Sequence, residues 1–220
     1  MRQKKLQHGL FVTFEGGEGS GKSTQIYRLA QYLEEKGGKV VVTREPGGTP
    51  LAERIRQTLL DQKNKISTQQ EILLYELARR DHVMELIRPA LRQGKIVLCD
   101  RFIDATLAYQ GYGRGLSLKL LETCNQVATG GLMPDLTLLF DLPVSVGLAR
   151  SKNRLKVQKS SEGRFEALPL AFHHQVRSGY LTLAAKDRKR IVVIDASGTK
   201  NNVFKRIQKS WEQFSRRRPA

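Results

Sequence analysis

Five short runs of apolar residues are spread along the chain, at residues 10–14, 39–43, 95–99, 136–140 and 191–194. The runs at 95–99, 136–140 and 191–194 are continuous, which is typical of strands that are buried on both faces of a parallel sheet. The sequence therefore predicts a sheet of about five strands.

Between these runs, apolar residues recur every three or four positions, which predicts helices. Thr49 and Pro50 match a helix N-cap and first turn, and a longer helical pattern covers residues 68–92, where Pro89 should end or bend the helix. The periodic positions of the other helices are Ile26, Leu29, Ala30 and Leu33; Leu51, Ile55 and Leu59; and Val203, Ile207, Trp211 and Phe214.

The alternation of strands and helices predicts an α/β fold, in which an open parallel sheet carries helices on both faces. In such a sheet, ligands bind beyond the carboxyl ends of the strands. The chain has 220 residues and shows no internal repeat or linker, so we expect one domain over residues 1–220.

The chain is strongly basic, with 38 Lys and Arg against 21 Asp and Glu and a net charge of +17. This balance is compatible with nucleic acid and equally with small polyphosphates. We interpret the basic ends, residues 1–8 and 215–220, as solvated tails. No apolar run is long enough to cross a bilayer and no secretory signal is visible, so we expect no membrane partner. Two cysteines without metal or disulfide spacing favour a cytoplasmic location.

The segment after the first strand reads G-x-x-x-x-G-K-[ST], the phosphate-binding loop (P-loop) of nucleoside triphosphate enzymes. Its glycines let backbone N–H groups turn toward an anion, and the N-terminus of the next helix adds more. Lys22 would contact the β- and γ-phosphates, and the Ser23 hydroxyl would bind Mg²⁺. The candidate ATP-binding residues are Gly16, Gly17, Glu18, Gly19, Ser20, Gly21, Lys22, Ser23 and Thr24.

A P-loop alone leaves several enzyme classes open. The chain has no Asn-Lys-x-Asp segment to read guanine, as a GTPase needs, and a motor ATPase would be larger and carry a downstream sensor region. Small-molecule phosphoryl transfer remains. Arg44, at the end of the second strand, opens a Pro-Gly-Gly loop suited to an anion. Asp100 and Arg101 close the third strand, where the acid can join the magnesium shell and the arginine can clamp a phosphate.

Four motifs together resemble the bacterial thymidylate kinase family over residues 9–215. They are E-G-x-[DE]-G within the P-loop, T-R-E-P-G-G-T at residues 43–49, D-R-[FYH] at 100–102 and A-Y-Q-G-x-G-R-G at 108–115. The resemblance implies a P-loop NTPase-type nucleoside monophosphate kinase with a short arginine-rich lid at about residues 150–164. It implies transfer of the ATP γ-phosphate to dTMP, with Mg²⁺ as cofactor, and a homodimer packed through helices. No specific nucleic-acid partner is expected.

The resemblance also assigns roles to residues of the acceptor site. Glu18 matches an acid directed at the 3′-hydroxyl of the acceptor sugar, and Arg101 matches the clamp of its phosphate. The other candidate substrate-binding residues match as follows: Tyr75, Arg79 and Thr106 contact thymine, Tyr109 excludes a ribose 2′-hydroxyl, Arg44 and Arg56 are weaker phosphate candidates, and Glu45 and Gln110 complete the site. The resemblance further implies a cis Glu45–Pro46 peptide.

The P-loop itself contains no arginine, and members of this family without one carry the extra catalytic arginine in the lid. Arg154 is our first candidate, followed by Arg150 and Arg164. With Glu18, Lys22, Asp100 and Arg101, these three arginines complete the predicted catalytic set, in which Ser23 and Asp100 would hold the metal. Two other functions stay open: a deoxynucleoside kinase, which needs no phosphate clamp, and a basic nucleic-acid-binding ATPase.

Overall fold

The computed structural model describes residues 9–158 and 162–216. The tail 1–8, the end of the second tail after residue 216 and residues 159–161 of the predicted lid lie outside the described residues. All of the predicted strands are confirmed within one or two residues at their ends. They are β1 Leu10–Gly16, β2 Val40–Arg44, β3 Ile96–Asp100, β4 Leu136–Asp141 and β5 Ile191–Asp195.

The strands form one parallel sheet with the order β2-β3-β1-β4-β5. This is a P-loop NTPase fold: the first strand lies at the centre and the order reverses beside it. Nine α-helices and two π-helical segments surround the sheet in the described ranges. They are α1 Lys22–Glu34, α2 Pro50–Leu60, α3 Thr68–His82, α4 Arg88–Arg92, α5 Ile103–Thr106, α6 Leu118–Thr129, α7 Val144–Gln158, α8 Leu170–Lys186, α9 Lys200–Arg216, and the π-helical Val83–Ile87 and Leu107–Gly113.

The long helix predicted over residues 68–92 forms, but Pro89 does not end it. Instead, α3 changes to π-helical geometry at Val83 and continues as α4 to Arg92. The N–H of Arg88 bonds to the carbonyl of Val83, the i→i+5 spacing of a π-helix. Pro89 has no N–H to donate, and the helix accommodates it with one π-helical turn, which is one residue wider than an α-helical turn.

The two faces of β1 enter different cores. Val12 and Phe14 point toward α1 and α9, where they join Leu29, Ile207 and Trp211. Phe11, on the other face, packs with Val83 and Ile87 of the π-helical segment. Thr13 and Glu15 lie on the same face of β1 as Phe11, because side chains alternate between the faces of a strand. Both are polar side chains that are buried inside the protein.

The register brings the carboxyl ends of the central strands together. Arg44 pairs with Asp100 across β2 and β3, and Phe14 pairs with Asp100 across β1 and β3. The P-loop, the Arg44 loop and the Asp100–Arg101 turn therefore leave the sheet at one edge, as the sequence predicts for a ligand site. No helix in the described part of the chain is long and apolar enough to cross a membrane.

Candidate active site

A cleft of about 550 Å³ opens at this edge of the sheet. All nine predicted substrate-binding residues line it, together with Asp100 and the P-loop from Glu18 to Thr24. Gly16 and Gly17 line a smaller cavity behind the loop. The topology thus brings into one cavity residues that are as distant in sequence as Glu18 and Arg154.

The P-loop is shaped to present backbone N–H groups. Gly21 caps α1 in the left-handed region at φ 94°, without a side-chain cap and without an acid in the first helical turn. At Gly19 an added Cβ would lie 2.0 Å from the carbonyl oxygen of Gly147 in α7, so any side chain here would push α7 away. The free N–H groups and positive dipole end of α1 therefore face the cleft.

Lys22 is buried and folds back over its own loop. Its ammonium donates to the carbonyl oxygens of Gly16 and Gly17, at 3.0 Å each, and to Ser20 Oγ at 3.3 Å. Burial and the nearby positive charge of Arg101 lower the pKa of Lys22 to about 8, although Asp100 and Glu18 oppose them. A bound polyphosphate would strongly stabilise the charged form of Lys22 in this environment.

Ser23 and Asp100 meet at the mouth of the loop. Ser23 Oγ donates to Asp100 Oδ2 at 2.9 Å, and the buried Asp100 Oδ1 has no hydrogen-bond partner among the described residues. A hydroxyl and a carboxylate side by side are the hard oxygen donors that Mg²⁺ binds, and the ion usually takes its remaining ligands from water and phosphate. The residues present therefore fit the predicted metal.

Arg101 is the centre of a polar cluster between the P-loop and α8. Its Nη2 donates to Glu18 Oε1 at 2.9 Å and to the Tyr109 hydroxyl at 3.0 Å, and Nη1 reaches the Tyr180 hydroxyl at 3.2 Å. The Tyr109 hydroxyl also donates to Glu18 Oε1, at 2.6 Å. Burial alone would raise the pKa of Glu18, but Arg101 and Lys22 outweigh it and hold that pKa at about 2. Glu18 is therefore ionised at neutral pH.

Each of the three arginines predicted to hold the acceptor phosphate is paired with a carboxylate of the protein. Besides Arg101 with Glu18, Arg44 pairs with Glu53 at 3.0 Å and Arg56 pairs with Glu162 at 2.9 Å. Arg56 Nε is buried without a hydrogen-bond partner in the described residues. The cleft thus holds guanidinium groups whose partners a phosphate could replace.

Arg79, predicted to hydrogen-bond thymine, is 2% exposed, and every donor of its guanidinium is engaged. Nε donates to Glu45 Oε2 at 2.8 Å, and Nη2 donates to Thr106 Oγ1 at 2.9 Å and to the Phe102 carbonyl oxygen at 3.4 Å. Nη1 bonds Glu76 and Asn125 on α3 and α6. Glu45 thus holds Arg79, which in turn fixes the Thr106 hydroxyl, and Thr106 and Tyr75 line the same cleft. The Glu45–Pro46 peptide is cis, as predicted.

The three candidate lid arginines have different surroundings. Arg150 and Arg154 lie one turn apart on α7 and line the cleft, and Arg154 remains about half exposed. Arg164 does not line the cleft. Its guanidinium pairs with the buried Glu71 at 2.7 Å and donates to the carbonyl oxygens of Leu59 and Ile66.

Sequence reasoning missed several acids and their partners. Glu71 binds Arg164, Arg114 and Gln110, so it connects α3 to the end of the predicted lid and to the π-helical segment Leu107–Gly113 with the residue after it. Glu166 lines the cleft, accepts from Ser151 Oγ at 2.7 Å and lies 3.8 Å from Arg154. Burial, and then the charge of Glu18, raise the pKa of Glu166. Its position two residues after Arg164 gives no signal by itself.

Comparison with known proteins identifies relatives over nearly the whole chain. The family model described as thymidylate kinase matches residues 14–207. A thymidylate kinase of Syntrophotalea carbinolica is 54% identical over 90% of this chain and 92% of its own, and one of Desulfovibrio desulfuricans is 50% identical over 95% and 98%. The crystal structure of thymidylate kinase from Ehrlichia chaffeensis superposes with a TM-score of 0.74 at 35% identity, over 93% of this chain and 99% of that one.

Proposed function

The chain belongs to the thymidylate kinase family, and we propose that its cleft transfers the γ-phosphoryl group of ATP to dTMP, which yields dTDP and ADP. The enzyme is accordingly an ATP-dependent dTMP kinase. One observation carries the assignment of its residues: a P-loop and three arginines suited to a second phosphate line the same cleft.

In this proposal, ATP binds along the P-loop, where the N–H groups of residues 19–24 and the Lys22 ammonium contact its β- and γ-phosphates. The phosphate of dTMP takes the place of the carboxylates that now pair with Arg44, Arg56 and Arg101. Within the described residues, Tyr109 and Arg101 both donate to the same oxygen of Glu18, Oε1, so Oε2 would accept the 3′-hydroxyl of the sugar. These contacts bring two anions into line, which is most of what phosphoryl transfer requires.

Mg²⁺ is the proposed cofactor, held by Ser23 and Asp100. When bound, it would neutralise charge that develops on the transferred phosphoryl group. Asp100 Oδ1, which has no hydrogen-bond partner in the described part of the chain, supports this assignment. Arg154, which reaches the cleft from α7, is the proposed catalytic arginine of the lid, ahead of Arg150.

Selection of the acceptor rests on the pocket around Tyr109 and Thr106. The Tyr109 ring is wedged between Phe165 and Phe172, at centroid distances of 5.6 and 6.0 Å, so it cannot yield to a ribose 2′-hydroxyl. Thr106, fixed by Arg79, supplies the hydroxyl for the thymine edge. We further propose that the whole chain is one kinase domain and acts in the cytoplasm, in keeping with the free thiols of Cys99 and Cys124.

We expect a coupled ADP-release assay to show a kcat/KM for dTMP at least about 100-fold above those for thymidine and UMP. Thymidine lacks the phosphate that the arginines would bind, and UMP carries the 2′-hydroxyl that Tyr109 excludes. Excess EDTA should abolish turnover, and added Mg²⁺ should restore it. Equal rates with thymidine would indicate a deoxynucleoside kinase. ATP hydrolysis that is stimulated by duplex DNA would indicate a nucleic-acid-binding ATPase.

The homodimer is proposed on an apolar helix face. Large apolar side chains are exposed on α3, on the following π-helical segment and on α6, and these elements pack together. Exposed apolar side chains on neighbouring elements are typical of an interface. These side chains are Leu73, Leu77, Met84, Leu120 and Val127.

We expect Leu77→Glu to shift the protein from dimer to monomer in light scattering coupled to size-exclusion chromatography, because a carboxylate would be buried in the interface. Leu170→Glu, an equally exposed leucine on α8, is the matched control and should leave the mass unchanged. A wild-type protein that is monomeric at all concentrations, or a dimer that survives Leu77→Glu, would contradict this interface.

A further inference from the structure

Arg101 has an unusual backbone conformation. Its φ of 71° is the one positive value among the described residues other than glycine. A side chain in this region costs free energy, and such conformations persist where surrounding contacts enforce them. The turn is enforced by two backbone contacts with β1: the N–H of Arg101 donates to the Phe14 carbonyl oxygen at 2.9 Å, and the N–H of Phe102 donates to Glu15 Oε1 at 2.7 Å.

Glu15 also reaches the other end of Arg101. Its second oxygen, Oε2, accepts from the Tyr180 hydroxyl at 2.8 Å, and that hydroxyl accepts from Arg101 Nη1 at 3.2 Å. One carboxylate therefore holds the backbone that follows Arg101 and, through one tyrosine, its guanidinium. The Glu15 side chain is completely buried and does not line the cleft.

The direction of these hydrogen bonds requires an acceptor on both oxygens of Glu15. Because Arg101 can only donate, the Tyr180 hydroxyl accepts from it and must direct its own proton toward Glu15. An amide of the same size would replace one of these two acceptors with an N–H donor, and an apolar side chain would remove both acceptors. Either change would break the hydrogen bonds that run from Arg101 and Phe102 to Glu15. Burial, and then the neighbouring Asp104, raise the pKa of Glu15, whereas Arg101 and the hydrogen bonds from Tyr180 and Phe102 oppose this shift by stabilising the charged form.

We propose that Glu15 is a positioning residue for the acceptor site, which sets the orientation of Arg101 through the Phe102 N–H and the Tyr180 hydroxyl. This inference rests on the proposed function, because it requires Arg101 to bind the phosphate of dTMP. Glu15 itself touches neither substrate. Its effect is therefore confined to the acceptor, while ATP binding along the P-loop is preserved.

The test is to measure KM for dTMP and for ATP separately in Glu15→Gln and in Tyr180→Phe. We expect each variant to raise KM for dTMP about tenfold, the low end of what a hydrogen bond to a charged group contributes. KM for ATP should stay within about twofold of wild type, and the double variant should be no worse than the weaker-binding single variant, because both act on one path. Tyr180→Phe decides alone if Glu15→Gln does not fold.

Thr13→Val is the matched control, since Thr13 is equally buried on the same face of β1 and bonds Thr137 without reaching Arg101. It should lower the melting temperature at most. If Tyr180→Phe and Glu15→Gln change only the melting temperature, or raise both KM values together, Glu15 is merely structural and the inference is wrong. Arg101→Met separates the two proposals: if it leaves KM for dTMP unchanged, the proposed function of Arg101 fails, whereas an effect confined to Arg101→Met overturns only the role of Glu15.

Discussion

Arg101→Met should lower kcat/KM for dTMP about 1,000-fold, within the range for removing one partner of a buried charge pair. Two effects add at this position. The acceptor phosphate loses a clamp that can bind two of its oxygens, and Glu18 loses its main counter-charge. The buried Glu18 carboxylate would then repel the phosphate that arrives beside it.

The same variant should also change the pH profile. In the wild type, Arg101 and Lys22 keep the pKa of Glu18 at about 2, so Glu18 is ionised throughout the neutral range. Without Arg101, burial raises that pKa, and the acidic limb of the kcat/KM profile should move to higher pH. A steady-state pH series with dTMP as the varied substrate measures both quantities.

Two variants serve as controls for Arg101. Arg101→Lys keeps the charge but loses the planar fork, so an intermediate loss is expected. Arg206→Met removes an exposed arginine that pairs with Asp195 outside the cleft and should leave the kinetics unchanged. A kcat/KM of Arg101→Met within about tenfold of wild type would exclude Arg101 as the acceptor clamp.

The sequence predicts the parts of this fold that depend on local pattern. Buried strands need consecutive apolar residues, and a phosphate loop needs glycines before a lysine, so β1, its loop and α1 are visible in the sequence. The two π-helical segments are not, because one extra residue in a turn leaves the apolar spacing almost unchanged. Thr106, Tyr109 and Gln110 are spaced i, i+3 and i+4, as on one face of a helix, and they line the cleft together.

The sequence does not predict which buried acids form ion pairs with the arginines. Glu71 and Arg164 are separated by 93 residues, and nothing local marks them as a pair. Glu15 and Tyr180 are separated by 165 residues. Such pairs depend on which helix covers which face of the sheet, and that is decided by tertiary packing.

The partners of an arginine matter most for the choice of the catalytic arginine of the lid, because the sequence does not predict them. We expect Arg154→Ala to lower kcat about 1,000-fold, at the low end for an arginine that stabilises phosphoryl transfer, with little change in either KM. Arg154 is half exposed beside the cleft, and its guanidinium is held by Ser151 Oγ at 3.0 Å and lies 3.8 Å from Glu166. It can leave these partners at low cost when the phosphates bind.

Arg164→Ala is the matched comparison and should act differently. Its removal leaves the completely buried Glu71 with Arg114 as its remaining cation among the described contacts, which should cost about 3 kcal/mol of unfolding free energy. We expect a lower melting temperature and a nearly normal kcat for the folded enzyme.

Arg150→Ala should give a kcat between those of Arg154→Ala and Arg164→Ala. Thermal unfolding and saturating turnover, measured on the same preparations, separate stability from catalysis. If Arg154→Ala keeps kcat within about threefold, which is under 1 kcal/mol of barrier, while Arg164→Ala loses it, the catalytic arginine is Arg164, after α7, and not Arg154 on α7.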